Sequence, residues 1–460
     1  MTSFEALGVA PSIQRRLGEL GISSPTEIQS LAIADALAGR DLCAKAGTGS
    51  GKTLAYAIPA FQNQRQATSN APITLILVPT RELATQVKDV IVSLADPNKK
   101  GGARVAAVYG GVSMDRQIRD LARGVEIVVA TPGRLIDLID RRKISLANIE
   151  TVVIDEADRM ADMGFLPPVQ EILSKTNSSR QTMLFSATLD GDVDTIIRHH
   201  MHDPVRHEAQ TKGRSLDNMS HFFFVSREAD KLDILKTVSA SARKTIVFVR
   251  TRNNADNLAD DLRRHGVRVE ALHGNMRQNA RERVLAKFAA GRTTVLVATD
   301  VAARGIDVVG LDLVVHYELP EDHKAYIHRS GRTARAGATG AVVTLFGRSQ
   351  MRAVNGLQRS LGLAQDIYKG DPEEPTLGNI ALQESFSGEL MALDDMRSGG
   401  SSSPARQRPR YSSDRSGSSS RYGGGGQGSS SYRGDSDRSS QGSQDGFDRD
   451  SSRRRYRRAG

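Results

Sequence analysis

Eight residues, Ala46-Gly47-Thr48-Gly49-Ser50-Gly51-Lys52-Thr53, restrict this chain more than any others. The glycines let the backbone curl with its N–H groups facing inward, Lys52 can reach outer phosphates, and the Thr53 hydroxyl can ligate magnesium. The next segment, Thr53–Ile58, reads as a helix whose positive N-terminal end faces the same anion. The pattern's first position, usually Gly, is Ala46 here. A glycine-rich turn between a strand and a helix would show similar letters, so the decision rests on what accompanies the loop.

Short β-rich runs alternate with segments of helical period along most of the chain. In the first half they are 42–46, 73–78, 105–109, 127–130, 152–154 and 183–185; in the second, 222–225, 245–249, 269–272, 294–297, 313–316 and 342–346. Near-continuous Val, Ile and Leu with intervening helices predicts parallel sheets covered on both faces. Two such sets predict two α/β domains, residues 1–208 and 219–368. A polar, glycine-containing linker at 209–218 joins them. Residues 369–396 read as an acidic, Pro-containing spacer.

Ligands gather at the carboxyl ends of strands in such sheets. After Val152–Ile154 comes Asp155-Glu156-Ala157-Asp158, where a carboxylate can hold magnesium and its neighbour can orient or deprotonate water. Alone, Asp-x-x-Asp also caps helices. Ser186 and Thr188 could sense those carboxylates or cap the next helix. Pro79, Thr80, Arg81, Gly110-Gly111 and Thr131-Pro132-Gly133-Arg134 follow other strands and together suit a phosphodiester backbone. In the second half Arg329, Arg332 and Arg335 recur every third residue, a spacing that predicts one helical face. Such arginines can stabilise charge on a transferring phosphoryl group held by the other domain.

Charge is concentrated at one end. Residues 397–460 hold 14 Arg, no Lys and six Asp, a net +8 of the chain's +10. This Ser/Gly/Arg tail, with Tyr411, Tyr422, Tyr432, Phe447 and Tyr456 interspersed, cannot build a core and is expected to be disordered. Its composition suits single-stranded nucleic acid, while a solubilising linker is the alternative. The single Cys43 excludes an intramolecular disulfide framework and fits a reducing compartment. No apolar run is long enough to span a membrane, and the expectation is a cytoplasmic protein.

On these motifs, and over roughly residues 4–350, the chain resembles the DEAD-box ATP-dependent RNA helicases of superfamily 2, in a compact, bacterial-looking form. The resemblance implies two tandem RecA-like, doubly wound parallel-sheet domains using ATP and Mg2+. Phe4, Ile22 and Gln29 would form the adenine-reading segment, although Ile22 stands where an aromatic residue is usual. Ala46, Gly47, Thr48, Gly49, Ser50, Gly51, Lys52 and Thr53 would cradle the phosphates, with Gly305 and Asp307 completing the nucleotide site. Thr53 and Asp155 would hold the metal, Glu156 the water, and Arg332 and Arg335 would be the arginine fingers. Asp158, Ser186, Thr188 and His328 would couple the domains. RNA contacts would be Pro79, Thr80, Arg81, Gly111, Thr131, Gly133 and Arg134 in the first domain. In the second they would be Arg250, Thr251, Gly274, Gln278, Arg281, Thr299 and Asp300. Ala334 stands where many members have Gly, with little consequence expected.

The implied mechanism is closure of both domains on ATP and single-stranded RNA, bending one strand and locally unpairing a short duplex. Nothing in it requires more than a monomer. Ribosome-assembly or RNA-decay proteins are the partners such a member would meet. An annealing protein driven by the tail and a DNA-directed motor are the competing readings, the latter because no residue can be assigned to a 2′-hydroxyl.

Overall fold

The computed structural model describes residues 2–47, 49–95, 103–189, 191–209, 216, 218–303, 310–334, 339–382 and 389–391. Thr48, Gly305, Asp307 and Arg335, most of the expected linker and the whole 397–460 tail lie outside the described residues.

Fourteen described strands form two sheets. Sheet 1 contains β1 (Leu42–Lys45), β2 (Thr74–Leu77), β3 (Val105–Val108), β4 (Ile127–Ala130), β5 (Thr151–Asp155), β6 (Gln181–Ser186) and β7 (Val205–Glu208). Sheet 2 contains β8 (Met219–Val225), β9 (Thr245–Val249), β10 (Val269–Leu272), β11 (Val295–Thr299), β12 (Leu313–His316), β13 (Gly340–Phe346) and β14 (Ile367–Lys369). Their spatial orders are β3-β4-β2-β5-β6-β1-β7 and β10-β11-β9-β12-β13-β8-β14, and neighbours pair in parallel. Counted from its own first strand, each sheet has the same order. The molecule is a structural duplication, although only the first copy carries a phosphate loop.

Alternation along single strands shows why the runs are apolar throughout. Leu75 and Leu77 enter one core cluster while Ile76 and Val78 enter the other, across sheet 1. Ile246 and Phe248 likewise part from Val247 and Val249 across sheet 2. With both faces covered by helices, neither has room for polar side chains. No described helix is long and apolar enough to cross a membrane.

All twelve apolar runs become strands, within three residues at their ends. The two strands the pattern missed, β7 and β14, lie at sheet edges, where one-sided burial permits the polar sequences Val-Arg-His-Glu and Ile-Tyr-Lys. The spacer reading at 369–396 fails for the segment after β14. Leu377 and Ile380 are fully buried against sheet 2, and Tyr368 bridges to Leu390. A few apolar residues among Pro and acids escaped a periodicity test, yet they close one face of the second core. Leu377→Ala should therefore cost about 2–5 kcal/mol and lower the melting temperature, whereas Leu382→Ala, at a 53% exposed position, should leave it unchanged.

Candidate nucleotide and RNA site

The phosphate loop is held at both ends. The Ala46 N–H donates to the Ser186 carbonyl (2.9 Å), tying the end of β1 to β6. At the other end Gly51 takes φ +93°, and a methyl group there would lie 2.5 Å from the Gln29 amide nitrogen, so only glycine fits. Gln29 accepts from the Thr26 N–H (3.0 Å) and donates to the Gly51 carbonyl (2.9 Å), joining the start of the Glu27–Leu37 helix to the loop. Lys52 is 8% exposed and donates to the Ala46 carbonyl (2.9 Å), while the Ser50 hydroxyl donates to that of Gly47 (2.8 Å). Phe4 is buried in the first core and Ile22 packs half-buried against it, so their described role is to seat this segment.

Asp155, at the end of β5, is buried behind the loop. It accepts from the Tyr56 hydroxyl (2.7 Å) and the Glu156 N–H (2.9 Å). Burial pushes its carboxyl from 3.8 up to about 6, with the Glu156 charge adding and Lys52 and both hydrogen bonds opposing. The same burial, with Asp155 beside it, holds the Tyr56 phenol well above its ordinary value. A buried carboxylate only partly compensated by Lys52 and two hydrogen bonds, next to the Thr53 helix start and a glycine loop, suits a divalent cation with a phosphate.

Glu156 stands in the left-handed region at φ +53°, unusual for a residue with a side chain, and its carboxylate is paired with Arg159. Arg159 is 3% exposed. The Asp158 N–H donates to the Ser186 hydroxyl (3.1 Å), and the Asp158 carboxylate accepts from the Ala187 N–H (3.3 Å). Ser186 is thus bound to the acidic loop, and Gly191 occupies the cap of the following helix. Thr188 is half-buried just beyond.

Three loops at the carboxyl end of sheet 1 converge. Thr80 caps the Arg81–Ser93 helix by accepting from the Leu83 N–H (3.2 Å), and Pro79 before it is buried. Arg81 lies over Gly111, where φ is +86° and any side chain would strike the guanidinium. Arg134 donates to the Val112 carbonyl (3.3 Å) and to Gln117 (3.2 Å). Thr131 and Gly133 begin the helix that carries Arg134.

On sheet 2 a cleft of about 870 Å³ gathers Arg250, Thr251, Gly274, Thr299, His328 and Arg332, with Asp300 and with Asp162 from the first domain. Burial, with Arg159 and Arg332 nearby, lowers the His328 pKa, against the opposing charges of Asp158 and Asp162. The segment carrying His328 and Arg332 therefore faces the Ala157–Asp162 helix.

Three sequence expectations change here. The helix carrying Arg329 spans His323–Ser330 and ends before Arg332, so a helical face shared by the arginines does not form. Arg329 is instead a buried strut, donating through both Nε and Nη2 to Asp300 at 2.6 Å and through Nη1 to the Glu318 carbonyl. Arg281 is also buried. It pairs with Glu82 of the first domain at 2.6 Å and donates to the His273 and Ala302 carbonyls. Gln278 is buried beside it. Glu82 carries no signal in the sequence because an acid in a helix's first turn ordinarily reads as a cap. Ala334 takes φ +52°, the conformation glycine favours, which costs an alanine roughly 1 kcal/mol.

A phosphate loop on one parallel sheet, with a second sheet of the same topology bringing His328 and Arg332 beside the Ala157–Asp162 helix of the first, marks a two-domain nucleotide-binding protein. The DEAD/DEAH box helicase profile matches residues 26–196 and the helicase conserved C-terminal domain profile matches residues 230–337. The chain belongs to the DEAD-box ATP-dependent RNA helicases.

It is 36% identical to the DEAD-box ATP-dependent RNA helicase CshA of Geobacillus kaustophilus over 362 residues, covering 78% of this chain and 77% of that one. It is 38% identical to DEAD-box ATP-dependent RNA helicase 30 of Arabidopsis thaliana over 399 residues, 84% of this chain and 66% of the plant protein. The chain thus spans about two thirds of the plant relative. The fold matches Saccharomyces cerevisiae Dbp5 bound to RNA and ADP BeF3 with a TM-score of 0.73 at 27% identity, covering 83% of this chain and 99% of that one.

The raised Asp155 pKa has a thermodynamic signature. The native state keeps this proton in a window, from about 4 to about 6, where the unfolded chain has lost it, so the contribution is favourable at low pH and disappears as pH rises through the native value. Asp155→Asn removes the effect. Its melting temperature relative to the parent should climb between about pH 4.5 and about pH 7, and a difference that does not vary with pH would show an unshifted carboxyl.

Proposed function

We propose that the chain hydrolyses ATP to ADP and phosphate in response to RNA, and uses closure of its two domains to unpair short duplexes or remodel RNA–protein complexes. The observation that supports this reading is that His328 and Arg332 of the second domain lie near Asp158, Arg159 and Asp162, on the helix that follows Asp155-Glu156. Residues that bind triphosphate and residues that answer charge on it come from different domains, so hydrolysis depends on domain arrangement.

In this reading the loop amides and Lys52 hold the phosphates, and Gln29, already bonded to Gly51, couples adenine recognition to the loop. Thr53 and Asp155 would hold Mg2+, which supplies positive charge against the phosphate oxygens. Glu156 must leave Arg159 to orient the attacking water and take its proton; Arg332 and Arg335 balance the negative charge at the transferring phosphorus. Asp158, Ser186, Thr188 and His328 relay closure between the domains. Single-stranded RNA lies across Arg81, Gly111, Thr131, Gly133 and Arg134 on one side and Arg250, Thr251, Gly274 and Thr299 on the other. Arg281 and Asp300 serve this surface indirectly, through Glu82 and Arg329. The contacts reach backbone, so RNA choice lies outside them. One chain contains every part, and we read the active unit as a monomer.

ATP turnover with no polymer, with single-stranded RNA and with single-stranded DNA tests the proposal at fixed salt. RNA alone should stimulate; equal stimulation by DNA would replace the RNA reading with a DNA-directed motor, and none by either would favour an annealing protein. Lys52→Ala, Glu156→Gln and Arg332→Ala should each reduce RNA-stimulated kcat by about 100-fold or more. Retained turnover in any one removes that residue from its role.

A further inference from the structure

The structural duplication permits a comparison within the chain. At the amino end of sheet 1, Arg104 precedes β3 and Glu126 precedes β4; the Glu126 and Ile127 N–H groups both donate to the Arg104 carbonyl. At the amino end of sheet 2, Arg268 precedes β10 and Thr294 precedes β11, and the Thr294 and Val295 N–H groups donate to the Arg268 carbonyl in the same pattern. Arg104 therefore corresponds to Arg268, and Glu126 to Thr294. In the first domain the arginine is neutralised: Glu126, 6% exposed at its side chain, accepts from Arg104 Nη2 at 2.7 Å and from its backbone N–H at 2.7 Å. In the second domain the carboxylate is gone. Arg268 is exposed, and its described side-chain hydrogen bond is a long one, 3.5 Å, to the Gly291 carbonyl.

The neighbouring position shifts in the same direction. Ile73, before β2, accepts from the Glu150 N–H as Lys244, before β9, accepts from that of Asp312, so a neutral residue is replaced by a cation. Lys244 Nζ donates to the Ala289 carbonyl (2.9 Å) at the end of the Gln278–Ala289 helix, where Lys287 also sits. Lys244 thereby offsets the negative carbonyl end of that helix, while Lys287 is paired with Glu270 at 2.6 Å. Arg292 follows, exposed and without an ion pair among the described residues. Two adjoining recesses of about 290 and 490 Å³ open here and share Val267 and Arg268. Because β10, β11 and β9 are adjacent, the residues leading into them stand roughly 5 Å apart per strand, within the reach of successive phosphates along a flexible backbone.

We propose that Arg268 and Arg292, beside Lys244, bind the phosphodiester backbone of RNA that continues beyond the interdomain cleft; this rests on the RNA reading above. The Gln278–Ala289 helix connects the two places. Its first turn carries Arg281, paired with Glu82 of the first domain; Arg283 is exposed on the opposite face, and the last turn carries Lys287. RNA is favoured over an acidic peptide because the recesses are lined by no aromatic residue and no aliphatic one larger than Val, so they offer no deep apolar pocket for a side-chain anchor.

The test uses the full chain and its Arg268→Gln/Arg292→Gln variant, with oligouridylates of about 8 and about 24 nucleotides titrated over a salt series. Both substitutions are at exposed positions. For the longer RNA the variant should bind roughly three- to tenfold more weakly, and its log–log salt slope should fall by about 1.4, the value for two phosphate contacts on a single strand. Binding of the short RNA, and kcat at saturating RNA, should match the parent. Unchanged affinity and slope for the long RNA would overturn the proposal, leaving an acidic protein as the ligand this charge suits. Equal losses for both lengths would also overturn it, since the arginines would then belong to the cleft itself. If RNA of neither length stimulated the parent's ATPase, the functional reading would fall as well, an outcome distinct from both of these.

Discussion

The buried ion pair between Glu82 and Arg281 is the contact on which the arrangement of the two sheets most visibly depends. Each side chain is 8% exposed, and Arg281 has its remaining donors on the His273 and Ala302 carbonyls. Neither charge can be left alone at that depth, because breaking such a pair from one side costs about 3–5 kcal/mol. Glu82 lies in the first turn of the helix that Thr80 caps, immediately after Arg81. The pair thus links the start of the Arg81–Ser93 helix to the Gln278–Ala289 helix of the second domain. Separating the domains exposes both charges to water, which removes most of that cost, so the pair suits an interface that has to open as well as close.

Duplication explains how this economy arises. Two sheets with one strand order place their carboxyl ends, where parallel strands present loops, at analogous positions, and burial on both faces fixes nearly every strand residue. What distinguishes the domains is confined to loops. After β1 the chain forms a phosphate cradle; after β8 it enters a short 3₁₀ turn at Glu228–Asp230 and leads to no such cradle. Before β3 and β10 an arginine recurs, but among the described residues only the first has a carboxylate partner. The strands carry the fold and the loops carry the chemistry.

That division also governs how much was legible in the sequence. The apolar runs announced twelve strands because two-sided burial leaves no alternative composition, and the phosphate loop announced itself because only glycine tolerates positions such as Gly51. Edge strands β7 and β14 were hidden, since one exposed side admits Arg206, Glu208 and Lys369. Pairing was hidden as well. Nothing local marks Arg329 as the buried partner of Asp300, or Arg281 as the partner of a residue 199 positions away. Long-range ion pairs depend on which loops the topology brings together, and a motif read alone shows only that a charge is present.

Glu156 brings these constraints to one residue. Its left-handed backbone stores strain of about 1–3 kcal/mol, maintained by the packed end of β5 and by the Asp158 and Ser186 bonds on either side. Its carboxylate is held by Arg159, a cation almost wholly enclosed within the first domain. So paired, that carboxylate is not free to orient a water. The Arg159 charge also reaches His328 across the interface, where it helps to keep the imidazole neutral. A rearrangement that drew Arg159 away from Glu156 would therefore free the Glu156 carboxylate and alter the field at His328 together. The Asp155–Asp158 segment and the second domain share one charge, and in the proposed reaction that sharing would let domain closure act on hydrolysis.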